Sequence, residues 1–362
     1  LERWCDSMSL AKQLPAAVMA ADPLTGLGAQ GSLIQAVHGP FVSQAAEQAA
    51  FANSCHRLAQ RSGRTLLTEL ADLESTLEAH AQGFWGHRMS GQQGAVPWGE
   101  LGRLSAAART LLAAAPADQW PSPAKAITWY TSGGWQIDAA GEEITRTLES
   151  TATELVGLIA PLRAAYRALW EESLIWWSDT WSQAKCPLPM KMGTAGEWLK
   201  QALEASKRPT AVLVLDALRY DIAATLVERI NHQEEVERAR VEPARAGFPT
   251  ITAIGMAMAL PMESNRVEAE LSDKGWAIRE TGKTANLSVA EERRKWWKQY
   301  EGGVEFHSLK ELHDGKAPKA GGACKRLVIQ DATIDSMGHD ELDFQGSGTA
   351  VQSITLAPCW ST

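Results

Sequence analysis
Residues 211–221 read AVLVLDALRYD, and the rest of the chain is read outward from them. Five apolar residues run straight into Asp216, and a helical pattern follows over residues 222–230. A continuous apolar run of that length predicts a strand buried on both faces, within a parallel sheet covered by helices. Ligands gather at the carboxyl ends of such strands, where Asp216 falls. A carboxylate there suits a hard metal or a phosphate-handling site. An Asp that caps the following helix is the plainer reading of this motif taken alone.

The composition bounds the function. The chain has 362 residues, 45% hydrophobic and 22% charged, enough for two domains with buried cores. A formal net charge of -8 argues against a protein that coats nucleic acid or a membrane surface, although a local basic patch is compatible with it. Cys5, Cys55, Cys186, Cys324 and Cys359 stand singly, with no CxxC pair, as expected of reduced thiols in a cytoplasm. No apolar run approaches the roughly 18 residues of a membrane-spanning helix, and no signal peptide is evident. The chain starts at Leu1, so a fragment of a longer protein is expected.

Residues 1–185 predict a largely helical N-terminal domain, rich in Ala, Leu, Glu, Gln and Arg. Helices are expected over 41–59, 64–81 and 98–115, with a longer pattern over 142–177 interrupted by Pro161. Trp170, Trp176, Trp177 and Trp181 read as packing anchors toward the next domain. His38, His56, His80 and His87 lack metal-ligand spacing and read as surface or helix-end residues. The loop CPLPMKMG, residues 186–193, marks a boundary, and 186–209 form a linker with a connecting helix over 195–206.

Past the helix after Asp216, residues 239–243 predict a strand. ARAGFPTITAIGMAMALP follows at 244–261. Gly247 and Pro249 turn the chain, and Thr250 and Thr252 stand where an Ala/Met-rich helix starts. A hydroxyl at that place suits a phosphoryl-accepting nucleophile, because helix N-termini favour anions. On this segment alone a simple N-cap is the better reading, and the two roles are compatible. Residues 263–303 read as polar and peripheral. Within them EERRKWWKQY (291–300) could bind single strands by charge and stacking. A solvated face of Arg294 and Lys298, with Trp296 or Trp297 packed inward, is the better reading. A short strand is expected at 304–307, whereas His232, His307 and His313 suggest no ligand cluster.

KRLVIQDATIDSMGHDE, residues 325–341, predicts a buried strand over 327–330 and then Asp335 and His339 at a four-residue interval. In a tight turn that spacing lets a carboxylate and an imidazole converge on one ion, and Gly338 permits a close backbone approach.

In order, a strand-end Asp, a Thr-rich helix start and strand–D-x-x-G-H resemble the alkaline phosphatase superfamily. VLVLDALRYD, FPTITAIGMAMALP and IDSMGHDE are most similar to the PglZ family, a component of the BREX bacteriophage-resistance systems. The resemblance covers roughly residues 208–343 and implies an α/β, alkaline-phosphatase-like, mostly parallel sheet flanked by helices. That domain spans 210–343, is incomplete, and is preceded by the helical domain, itself a family feature. It implies Asp216 as a ligand of one metal, Thr252 (alternatively Thr250) as the nucleophile bridging two metals, and Asp335 and His339 as ligands of the other. Asp331 and Asp340 receive no ligand role.

The implied cofactor is a pair of divalent cations, zinc or manganese. Implied partners are other BREX proteins, such as a DNA methyltransferase or an ATPase, with nucleic acid as a further candidate and no membrane. The superfamily's later Asp-His pair and further His have no counterpart after His339. Residues 344–362 form a tail without family resemblance, so truncation is expected near Asp343. The implied function is a metal-dependent phosphohydrolase or phosphodiesterase of phage defence. The rival reading is a non-catalytic scaffold of a defence complex. A dinucleotide binder or an Asp receiver ranks last, because no G-x-G-x-x-G follows the central strand.

Overall fold
The computed structural model describes residues 13–88, 95–149, 155–185, 192–232, 237–247, 249–273, 275–316 and 325–333. The chain divides into two compact units, Leu1–Cys186 and Pro187–Thr362.

The first unit is helical. Its described helices are α1 (Leu14–Thr25), α2 (Gln44–Ala59), α3 (Gly63–Asp72), α4 (Glu74–Gln82), α5 (Trp98–Ala114), α6 (Pro123–Trp129), α7 (Gln136–Glu149) and α8 (Val156–Gln183). Heptad-like spacing builds the core: Leu66, Leu67 and Leu70 of α3 meet Leu101, Leu104 and Leu111 of α5, joined by Leu158 and Leu162 of α8. Ser43 opens α2 by accepting a bond from the Ala46 N–H.

The helical pattern expected over 64–81 is two helices, broken at Leu73. Within the longer pattern over 142–177 the described helices are Gln136–Glu149 and Val156–Gln183, and the second runs through Pro161 without a break. Pro161 is the sixth residue of α8, so the helix accommodates it within its second turn at the cost of one backbone hydrogen bond.

Two expectations about side chains are corrected here. His80 lies in the last turn of α4, as the helix-end reading has it, but it is not at the surface: it is fully buried against Trp98. The boundary tryptophans pack within the helical unit itself. Trp176 and Trp177 lie 6.3 and 6.4 Å from Trp120, Trp177 stacks on Trp181, and Trp170 Nε1 donates to Asp138.

The second unit is α/β. It begins with α9 (Ala195–Ala205), whose first turn is closed by a capping box between Thr194 and Glu197. Strand β1 (Thr210–Leu215) leads to α10 (Tyr220–His232), α11 (Thr252–Met258), a hairpin of β2 (Val267–Ser272) and β3 (Gly275–Glu280), α12 (Ala290–Tyr300), β4 (Val304–Ser308), α13 (Leu309–His313) and β5 (Arg326–Asp331). β1, β5 and β4 form a parallel sheet in that order, with Thr210 opposite Arg326 and Leu215 opposite Asp331. A parallel sheet flanked by helices, following a helical region, is the alkaline-phosphatase-like α/β arrangement.

Three expectations change. β1 is buried on one face only. Val212 is 7% exposed and Leu213 53%, and among the described residues β1 is also an edge strand. Residues 239–243 form no strand; Asn231 instead holds Ala239 through bonds to both its N–H and its carbonyl. The stretch 263–303 is not peripheral: Ile278, Leu287 and Trp297 join Val212, Ile254 and Val328 in one core cluster.

Candidate functional site
The site is built at the carboxyl end of β1. Asp216 follows the last strand residue, and its N–H donates to the Asp331 carbonyl at 3.0 Å, so the parallel ladder continues to the carboxylate itself. Ala217 then turns the chain with φ of 60°, a left-handed conformation that costs an L-residue roughly 1–2 kcal/mol. Its N–H donates to Asp216 Oδ1 at 3.0 Å. The turn thus spends conformational strain to orient one carboxylate oxygen. Asp216 makes no cap bond to α10 among the described residues; its Oδ1 accepts the Ala217 N–H instead.

Arg219 and Asp221 complete the turn. The guanidinium donates through Nε and Nη2 to the two oxygens of Asp221, at 3.0 and 2.8 Å. Asp221 is buried while Arg219 remains half-exposed. This bidentate pair ties the loop after Asp216 to the start of α10.

Thr252 is the first residue of α11, and the cap position is Ile251, which makes no side-chain cap. Neither threonine is the N-cap, so that alternative is set aside. Both Thr250 and Thr252 are exposed. The turn that delivers them needs Gly247, where an added Cβ would lie 2.7 Å from Ile254 Cγ2.

Asp331 ends β5 opposite Leu215, and side chains alternate along a strand, so it points to the face opposite that of Asp216. Its Oδ2 accepts the Thr333 N–H. Asp335, His339 and Asp340 lie outside the described residues. Among the described residues no three His, Cys, Asp or Glu side chains converge as a metal cluster.

Residues 196–355 match the family model described as PglZ, the BREX system PglZ alkaline phosphatase-like domain. The chain carries a PglZ domain. Asp216, Thr250 and Thr252 all fall within its bounds, as do Asp335 and His339. No curated protein and no solved structure matches the chain.

One residue of this PglZ domain was passed over in the sequence. Arg293, in EERRKWWKQY, is 7% exposed. Its signal was its place four residues before Trp297, which puts both on the buried face of α12, while Arg294 and Lys298 take the solvated face as expected.

Proposed function
We propose that this PglZ domain is a metal-dependent phosphohydrolase or phosphodiesterase acting in a BREX-type phage-defence system, with other proteins of that system as partners. The reading rests on two separate features of this domain: a strand-end carboxylate oriented by its own turn, and an exposed threonine at the start of α11. The described donors fit a divalent cation, since a carboxylate and a hydroxyl are hard oxygen ligands. Asp216 would hold one cation, Asp335 and His339 the other, and Thr252 would reach both. Zinc or manganese is the metal proposed.

When bound, such ions stabilise the charge of an in-line phosphoryl displacement. The chain's own part is as follows. Thr252 Oγ forms a bond to phosphorus as the bond to the leaving alcohol breaks, and the threonine proton ends on that alcohol. Water then cleaves the phosphothreonine and returns the hydroxyl. Thr250 is the alternative nucleophile. The fixed Asp216 carboxylate would orient the centre.

The test is zinc and manganese titration calorimetry on the chain beside Asp216→Ala and Asp335→Ala, together with hydrolysis of an aryl phosphate diester. Binding should be lost in both variants, and Thr252→Ala should lower turnover by at least about 10³-fold while leaving metal affinity within a few-fold. Full turnover in Thr252→Ala with loss in Thr250→Ala would move the nucleophile. Wild-type binding no stronger than that of the variants would end the enzymatic reading in favour of a scaffold.

A further inference from the structure
Helix α8 has two apolar faces. One carries Leu158, Leu162, Ala165 and Leu169 into the core of the helical unit. A second row runs beside it: Trp170, Leu174, Trp177 and Trp181, at intervals of four, three and four residues. Trp170 is 40% exposed and Leu174 43%, while Trp177 and Trp181 are partly exposed. Next to this row Ile175 is 59% exposed. Its neighbours one turn away are Glu171, Glu172 and Asp179, at i−4, i−3 and i+4. All three carboxylates are exposed, and no ion pair engages them among the described residues.

The rings of the row are held in place. Trp170 Nε1 donates to Asp138 Oδ1 at 3.2 Å, and the Tyr130 hydroxyl donates to Asp138 Oδ2 at 2.7 Å. Trp177 stacks on Trp181 at 5.1 Å and meets Trp120 edge-on at 6.4 Å. Half-exposed rings fixed in this way lose little freedom when a partner covers them, and tryptophan is enriched at the energetic centres of interfaces.

Spacing and charge together define the occupant. An apolar row at four-three-four intervals is the seam against which a second helix packs. From Trp170 to Gln183 the helix carries three carboxylates and no Lys or Arg; Arg163 and Arg167 come before that stretch. Pairing with the same face of a second copy would set these carboxylates against like charges, and nucleic acid or an anionic membrane would be repelled in the same way. Lys or Arg beside an apolar seam satisfies both the row and its charge.

We propose that the exposed face of α8, centred on Leu174 and Ile175, docks an amphipathic helix of another protein whose apolar seam is flanked by Lys or Arg. The phosphoryl chemistry proposed above plays no part in this docking, so either can fail alone.

The test presents the full chain with a displayed library of helical peptides, apolar along the seam and free to carry Lys or Glu at each flanking position. Two variants run beside the wild type: Leu174→Asp with Ile175→Asp, and Glu171→Lys with Glu172→Lys and Asp179→Lys. All five side chains are exposed, so the circular dichroism of both should match that of the wild type. The wild type should select Lys-flanked helices, and a selected helix should bind the first variant at least about tenfold more weakly. The charge-reversed variant should select Glu-flanked helices. Its net charge is still negative, so that exchange reads the local face rather than the whole chain. Sedimentation should show the wild type and the Leu174/Ile175 variant in the same oligomeric state. No selected helix, or one Lys-to-Glu preference shared by wild type and charge-reversed variant, overturns the proposal. A wild-type oligomer that the Leu174→Asp and Ile175→Asp changes disperse overturns it too, and gives the face to a second copy.

Discussion
His80 shows how a single residue escapes its sequence context. Nothing around LEAHAQ distinguishes it from an exposed helical histidine, yet its Nδ1 meets Glu47 Oε1 at 2.8 Å and its Nε2 meets the Ala36 carbonyl at 2.6 Å, with both side chains fully buried. A carbonyl only accepts, so Nε2 carries a proton. Glu47 Oε2 accepts the Phe41 N–H, and Trp98 stacks on the ring at 4.2 Å. Burial opposes the charged ring, but the bond to Glu47, the bond to Ala36 and the charge of Glu47 together raise its pKa above 6.5. The pair's stabilisation is therefore complete below about pH 6.5 and is lost as pH rises through the raised folded value. His80→Gln should cost about 3–5 kcal/mol at pH 6 and remove that part of the pH dependence. Exchange protection of residues 44–59 and 98–114, measured at pH 6 and pH 8.5, reads both effects. Equal losses at the two pH values would mean that the ring is neutral throughout.

At the scale of elements, periodicity told the helices from the strands, whereas their packing depended on close approaches that it does not record. Gly196 is the case in point. Ala is ordinarily the better helix former by about 1 kcal/mol. At Gly196, however, an added Cβ would sit 2.1 Å from the Leu260 carbonyl oxygen and 2.5 Å from that of Met258. Those are backbone atoms at the end of α11, and they cannot swing aside. Overpacking prevails, so Gly196→Ala should destabilise the PglZ domain by about 1–3 kcal/mol, checked by exchange of the α9 and α11 amides. The hairpin of β2 and β3 was missed for a related reason. VEAELS and GWAIRE are polar enough to read as surface, and the two buried residues of β3 are Ile278 and Glu280. One apolar and one charged residue leave little hydrophobic pattern to see.

Across the second unit, one cluster joins α9, β1, α11, β3, α12 and β5. Trp297 is its largest fully buried side chain. Trp297→Ala should therefore cost about 3–5 kcal/mol and lower amide protection in β1 and β5 together, although neither strand adjoins it in sequence. Loss confined to α12 would show that the helix is an appendage. No helix among the described residues is long and apolar enough to cross a membrane.

The chain's order of residues was sufficient for the helical first region, the parallel strands at β1 and β5, the helix that starts at Thr252 and the strand-end placement of Asp216. Each depends on local propensity or on a run of apolar residues, which are properties of neighbours in sequence. The family resemblance likewise rested on three short motifs, and the PglZ match spans the segment that contains them. Tertiary structure alone decided that β1 is an edge strand among the described residues with Leu213 exposed, that His80 is a buried partner of Glu47, and that Arg293 faces the core. Those outcomes depend on which surfaces meet across 33 or more positions of chain, as for Glu47 and His80. The free energy of burying a charge is set by the partner it finds there, and no local pattern encodes that partner.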